Sequence, residues 1–172
     1  MTSPLDAISG EDARAILHSL AATYPEMKRV IFAEAEELLK DFDCEDIALE
    51  VSFDLDMLQL EDILDPSSTK RANYVLPDEM AAQLFEEALS LFETQIIRYE
   101  ELDMREEAKR YCMGVLLGLY SLDQDFQDQE YVFDTPRRCF ERINEEWRQR
   151  NPSERDRKDM EKLISRKCPD WA

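Results

Sequence analysis

Glycine is almost missing from this chain: three in 172 residues, against an average share of about 7%. Sandwiches and barrels need glycine at their many tight turns, so the shortage argues against a sheet protein. It also removes the phosphate-cradling loops, because Gly10, Gly114 and Gly118 cannot be arranged as G-x-G-x-x-G or G-x-x-x-x-G-K-S/T. Histidine is scarcer still. His18 stands alone, which leaves no H-E-x-x-H pair or E-x-x-H unit, and no G-x-S-x-G elbow occurs either. His18 therefore reads as an ordinary helix-surface histidine.

Cys44, Cys112, Cys139 and Cys168 are scattered with no C-x-x-C pair, unlike the close-spaced ligands of a zinc site. Cys112 falls in an apolar stripe and reads as a small core residue. Met1 to Asp12 has no basic segment followed by an apolar run, so no secretory signal is recognised and a cytoplasmic location is expected. Long apolar runs are lacking too. The best stretch without charge, Tyr111 to Leu122, falls short of the ~20 residues that a membrane-spanning helix needs.

Acidic charge is abundant. Asp and Glu number 40 against 21 Lys and Arg, a net −19. The imbalance is uneven: residues 1–136 hold 32 acids and 10 bases, net −22, whereas residues 137–172 hold 8 and 11, net +3. An acidic body repels phosphate backbones, so nucleic acid is not an expected partner. Apolar residues still make up 44%, enough for a packed core, so the charge does not imply disorder. Carboxylate groups such as Glu34-Glu36-Glu37 and Asp54-Asp56 read as solvated helix faces; none has the calcium-loop spacing with its glycine at the sixth position.

Helical periodicity organises the rest. Ser9 with Asp12 makes a capping box, and Ala13, Ile16, Leu17, Leu20 and Ala21 follow on one face. That predicts a first helix from about Gly10 to Thr23. Tyr24-Pro25 breaks it and Pro25 opens a second, with Met27, Val30, Ile31, Ala35, Leu38 and Leu39 in its stripe, ending near Asp41. So short a join predicts an antiparallel hairpin. Ile47 to Met57 alternates as a strand would, but also carries two helical stripes, Ile47/Val51/Leu55 and Leu49/Phe53/Met57. Asp43 is a ready cap and aspartate is depleted in strands, so helix is the reading adopted.

Leu60 to Leu64 is read as one further turn, and Asp65 to Arg71 as a loop. After Pro77-Asp78 a stripe of Met80, Leu84, Phe85, Ala88, Leu91, Phe92, Ile96 and Tyr99 leads through Glu101-Leu102-Asp103 to Ala108, Tyr111, Cys112, Val115, Leu116, Leu119 and Tyr120. Residues 78–122 thus read as another hairpin. Gly114 and Gly118 lie inside it, each costing about 1 kcal/mol of helix propensity relative to alanine, which points to close helix–helix approach as the compensation. A polar linker from Asp123 to Thr135 is expected to be tacked down by Phe126, Tyr131, Val132 and Phe133. Pro136 then opens a helix through Phe140, Ile143 and Trp147, and Ser153 with Asp156 caps a last one reaching Lys167, whose stripe is only Met160, Leu163 and Ile164. So thin a face is marginal alone.

The spacing Phe92-x6-Tyr99-x3-Asp103-x4-Ala108-x3-Cys112-x2-Val115 resembles one tetratricopeptide unit, with Ile96 in place of the small residue, Asp103 in place of the turn glycine, and Cys112 and Val115 in place of an aromatic and an alanine. The corner His18-Ser19-Leu20-Ala21-Ala22-Thr23-Tyr24-Pro25-Glu26 and the hairpin from Glu86-Glu87-Ala88-Leu89 to Leu122 are similar to the helical region after the zinc finger of bacterial SWIM-type proteins. The finger itself, C-x-C followed by C-x-H, is absent, so that resemblance brings no metal or nucleic-acid role.

The expectation is an all-α protein: antiparallel helical hairpins packed as a bundle or a short tetratricopeptide-like stack, residues 1–135 forming an acidic domain and 136–172 a mildly basic helical tail packed on it or on a partner. A protein–protein interaction or scaffold module is the leading reading. The alternative is an acidic regulator that mimics nucleic acid and binds a basic protein. An enzyme using carboxylates with Tyr74, Tyr99 or Tyr120 ranks third. No catalytic, cofactor-binding or metal-binding residue is assigned, and no cofactor or membrane is expected. The expected partner is a protein that the sequence does not identify, with a basic protein and a homo-oligomer both open.

Overall fold

Seven α-helices account for most of the described residues of the computed structural model, which are Pro4, 7–58, 77–125 and 134–171. They are α1 Gly10–Thr23, α2 Pro25–Lys40, α3 Cys44–Asp56, α4 Pro77–Glu101, α5 Arg105–Asp125, α6 Thr135–Gln149 and α7 Glu154–Lys167, followed by a 3-10 turn Pro169–Trp171. Among the described residues there is no strand. The Leu60–Leu64 turn, the Asp65–Arg71 loop and the packing of Phe126, Tyr131, Val132 and Phe133 lie outside them.

The chain forms two compact units, Met1–Phe42 and Asp43–Ala172. The division at 42/43 falls inside the expected 1–135 domain.

The first unit is the α1–α2 hairpin. Ser9 Oγ accepts from the Asp12 N–H at 3.1 Å, closing the start of α1 as its capping box predicts. The other end stops because Tyr24, extended at φ −124 and ψ 105, must precede Pro25, the first residue of α2. Ala13, Leu20, Ala21, Ile31 and Leu39 are half-buried, yet no described residue of this unit is fully buried.

The second unit is organised around α5, against which α3, α4, α6 and α7 all pack. A helix with neighbours on every side should be apolar all round. Cys112 through Leu119 are accordingly all buried. Gly114 and Gly118 admit α3. A Cβ at Gly114 would lie 2.6 Å from Ile47 Cβ and 2.8 Å from the Cys44 carbonyl oxygen, and one at Gly118 2.7 Å from both the Ala48 carbonyl oxygen and Val51 Cβ. Close approach does offset the propensity cost of both glycines.

Segment 44–56 is a helix, capped by Asp43, whose carboxylate accepts from the Glu45 N–H at 3.0 Å. Its Ile47, Val51 and Leu55 stripe is buried. On α4 the buried set is Phe85, Leu89, Phe92, Ile96 and Tyr99, and Leu91, expected in the stripe, is 73% exposed. α4 ends in a Schellman motif: the Met104 N–H donates to Tyr99 O and the Asp103 N–H to Glu100 O, each at 2.9 Å, with Asp103 left-handed at φ 57. The tail's helices join the same core. Cys139, Phe140, Ile143 and Trp147 of α6 and Met160 and Ile164 of α7 are buried, and Trp171 stacks edge-on against Phe140 and Tyr120 at 4.9 and 5.1 Å.

Candidate functional site

Charge, rather than a conventional pocket chemistry, marks the line where the tail meets the body of the second unit. Glu86, Glu93 and Glu100 recur every seven residues along α4, a spacing that keeps them on one helix face. Arg142 of α6 and Arg150 just beyond its end answer them. Arg142 lies 2.9 Å from Glu86 and 2.6 Å from Glu93, with Glu146 of its own helix at 2.9 Å. A second hydrogen bond, Nη1 to Oε2 at 3.1 Å, joins the Nη2–Oε1 contact in a fork onto Glu93, the geometry that favours arginine over lysine. Arg150 Nη1 donates to Glu100 at 2.9 Å. The Glu93 hydrogen bonds outweigh partial burial and hold the Arg142 guanidinium charged far above the working pH range. Arg142 Nε and Asn144 Oδ1 of the same helix are buried without a hydrogen-bond partner from the protein.

A second junction reverses the polarity. Lys109 of α5, 4% exposed, carries the cation, and α7 carries the anions. Its ammonium lies 2.8 Å from Glu106, 2.9 Å from Asp156 and 3.2 Å from Asp159. Burial pulls the lysine toward its neutral form, but the three carboxylates prevail and raise its pKa. Burial likewise opposes ionisation of Asp156, and the Ser153 hydroxyl with Lys109 prevails, lowering it. Ser153 also accepts from the Asp156 N–H as the cap of α7. A thin apolar stripe thus gains a built-in electrostatic anchor.

Between these junctions lies a cleft of about 410 Å³, lined by Arg105, Lys109, Trp147, Arg150, Ser153 and Asp156 among others. Its charged lining groups are all engaged: Lys109 with Asp156 and Arg150 with Glu100 across the cleft, and Arg105 with Asp103 outside it at 3.1 Å. An ammonium so held offers no free amine, and Asp156, whose pKa is lowered, is a poor proton acceptor. The thiols are equally unsuited to nucleophilic work, since burial pushes Cys44, Cys139 and Cys168 up to about 11 and Cys112 to about 12. Among the described residues no group of three His, Cys, Asp or Glu is placed to hold a metal.

Residues singled out in the sequence are not brought together. His18 is exposed on α1. Tyr99 is buried, its ring tilted 5.7 Å from that of Tyr111. Tyr120 donates to Asp170 at 2.9 Å, and Tyr74 lies outside the described residues. Lys109 escaped the sequence reading. Its one signal was a lysine between the core positions Ala108 and Cys112, with its acidic partners some 47 and 50 residues away.

Among the described residues, exposed apolar side chains gather most in two places. One is on the first unit: Ile16, Leu17, Tyr24, Met27, Val30, Phe32 and Leu38 are 38–76% exposed. Lys28 Nζ sits 5.3 Å above the Phe32 ring without hiding it. The other is the second stripe of α3. No helix of the described residues is long and apolar enough to cross a membrane. No family model, curated protein or solved structure matches the chain, so a functional reading rests on this geometry.

Proposed function

We propose that the chain is a protein–protein interaction or scaffold module of helical-hairpin type. The observation that carries the reading is the α1–α2 hairpin, which keeps no residue fully buried while displaying seven large apolar side chains. Two helices cannot close a core around their own stripes, and large apolar side chains exposed in this number on a strongly charged protein mark a region that other proteins can cover. A groove or face of this kind takes a partner helix or peptide. The module works without a cofactor and without catalysis, a view supported by paired cleft groups and thiols held protonated. Four free cysteines support placing it in a reducing compartment, the cytoplasm.

The nucleic-acid mimic receives less support. Its most regular carboxylate row, Glu86, Glu93 and Glu100, faces Arg142 and Arg150 of the same chain. The test is a photo-crosslinking residue placed at Phe32 and, as a control, at Arg155, whose side chain is 88% exposed. Discrete adducts in the source cell from Phe32 and not from Arg155 are expected. Identical or absent adducts at both positions remove the reading.

A further inference from the structure

α3 has two apolar stripes and the second unit uses only one. Ile47, Val51 and Leu55 are buried beside Gly114 and Gly118 of α5, whereas Leu49, Phe53 and Met57 stand 69, 63 and 62% exposed. Spaced four residues apart, these three share one helix face. The exposed side also carries Glu45, Asp46, Glu50, Asp54 and Asp56, all exposed, and α3 contains no Lys or Arg. Lys167 reaches Glu45 at 3.9 Å, at the helix start and away from Phe53 and Met57. The result is an apolar ridge set in a field of carboxylates.

Such a surface restricts its occupant. Pairing with the same face of a second copy would set ten carboxylates of two α3 helices against each other, on chains of net −19, and like-charge juxtaposition selects against that arrangement. A neutral apolar segment would desolvate Glu50, Asp54 and Asp56 beside the ridge and bring no cation of its own to them. What satisfies both features is a helix with apolar anchors at three- and four-residue spacing flanked by Lys and Arg. We propose that the outer face of α3 docks a cationic amphipathic helix of a partner protein. This rests on the interaction-module reading and adds the chemistry of the partner.

The probe is a labelled synthetic helix of about 16 residues with leucines on one face and lysines beside them, titrated by anisotropy into the full chain at low and high salt. Controls are the same composition with the leucines scrambled and the same pattern with glutamate for lysine. Saturable binding of the patterned cationic peptide alone is expected. Phe53→Ser with Met57→Ser raises Kd about tenfold or more. Glu50→Gln with Asp54→Asn raises it about threefold and flattens the salt dependence. Leu91→Ser, removing an exposed leucine of α4 rather than of α3, leaves Kd unchanged. If the serine pair lowers helicity, Phe53→Ala with Met57→Ala decides, since alanine favours helix. Equal binding of the scrambled peptide, or no response to the α3 variants, overturns the proposal. Loss of binding in Val30→Ser with Phe32→Ser instead moves the site off α3 and leaves the module reading intact; failure of the Phe32 crosslink as well removes both.

Discussion

The α1–α2 hairpin and the α4–α5 hairpin are written in the same local code and reach different ends. Each has a capped or proline-marked start, a four-to-three apolar stripe and a short join, yet α1–α2 keeps no side chain fully buried and α4–α5 lies at the centre of a core. The difference is what the chain supplies to cover each stripe. α5 is apolar all round and has glycines where α3 approaches, so four helices share its surface; α2 alternates its apolar positions with Glu34, Glu36 and Glu37. Periodicity makes a helix, and burial requires a neighbour.

The largest effects should break the two regions apart. Phe85 is fully buried and Phe32 is 57% exposed, so Phe85→Ala should cost about 3–5 kcal/mol of unfolding free energy and Phe32→Ala less than about 0.5 kcal/mol. Urea titration of both variants measures this. A large loss from Phe32→Ala would mean that the hairpin is covered in solution. Hydrogen exchange extends the contrast: amides of 10–40 should exchange well before those of 108–119.

Next is the α3–α5 contact. Gly118→Ala gains helix propensity of about 1 kcal/mol but drives a methyl into a backbone carbonyl and a β-branched side chain, neither of which can step aside. Overpacking of this kind costs about 1–3 kcal/mol, so a net loss of up to about 2 kcal/mol is expected, read as a lower urea midpoint. Gly10→Ala, with nothing within 4 Å of the new methyl, should lose nothing.

The Lys109 anchor comes third. Lys109→Met keeps the apolar stem and removes the charge. Charge-assisted hydrogen bonds contribute about 1.5–3 kcal/mol, and the partial exposure of Asp156, Asp159 and Glu106, at 21–60%, places the loss at the lower end. The pH dependence separates the partners. Asp156 is lowered in the folded state, so its contribution is present above its unfolded pKa near 3.8 and disappears as pH falls through the folded value. Lys109 is raised from 10.5, so its contribution is whole below that pH and is lost only as pH climbs through the folded value. Wild type should therefore lose part of its advantage over Lys109→Met below about pH 4 and keep it through neutrality. Denaturant midpoints at pH 3, 7 and 9 test this.

Much of the fold was legible because local rules decide it. Ser9, Pro25, Asp43 and Ser153 mark helix starts by capping or by fixed φ, and Gly114 with Gly118 pointed to close approach before any neighbour was known. The misses concern choices between equivalent faces. Leu89 and Leu91 are both leucines of α4, and the two stripes of α3 are equally apolar; which one turns inward depends on helices elsewhere in the chain. The charge seam was half legible. Glu86, Glu93 and Glu100 repeat visibly, but their engagement by Arg142 and Arg150, and that of Lys109 by Asp156, spans roughly fifty residues, and no local pattern encodes such pairing.

The smallest expected effect tests the two joins. α1 passes to α2 through one extended residue held by Pro25, whereas α4 passes to α5 through Asp103 at φ 57. A left-handed residue with a Cβ is strained, and glycine relieves that strain at a Schellman C′ position. Against it stands the greater freedom of glycine in the unfolded chain. The Asp103–Arg105 ion pair, with both side chains more than 80% exposed, offers little resistance. Asp103→Gly should therefore raise stability by about 0.5 kcal/mol, and Asp103→Ala, which keeps the Cβ and loses aspartate's tolerance of this region, should lower it. A stabilising Asp103→Ala would show that the aspartate carboxylate, not the backbone conformation, is the costly feature of this join.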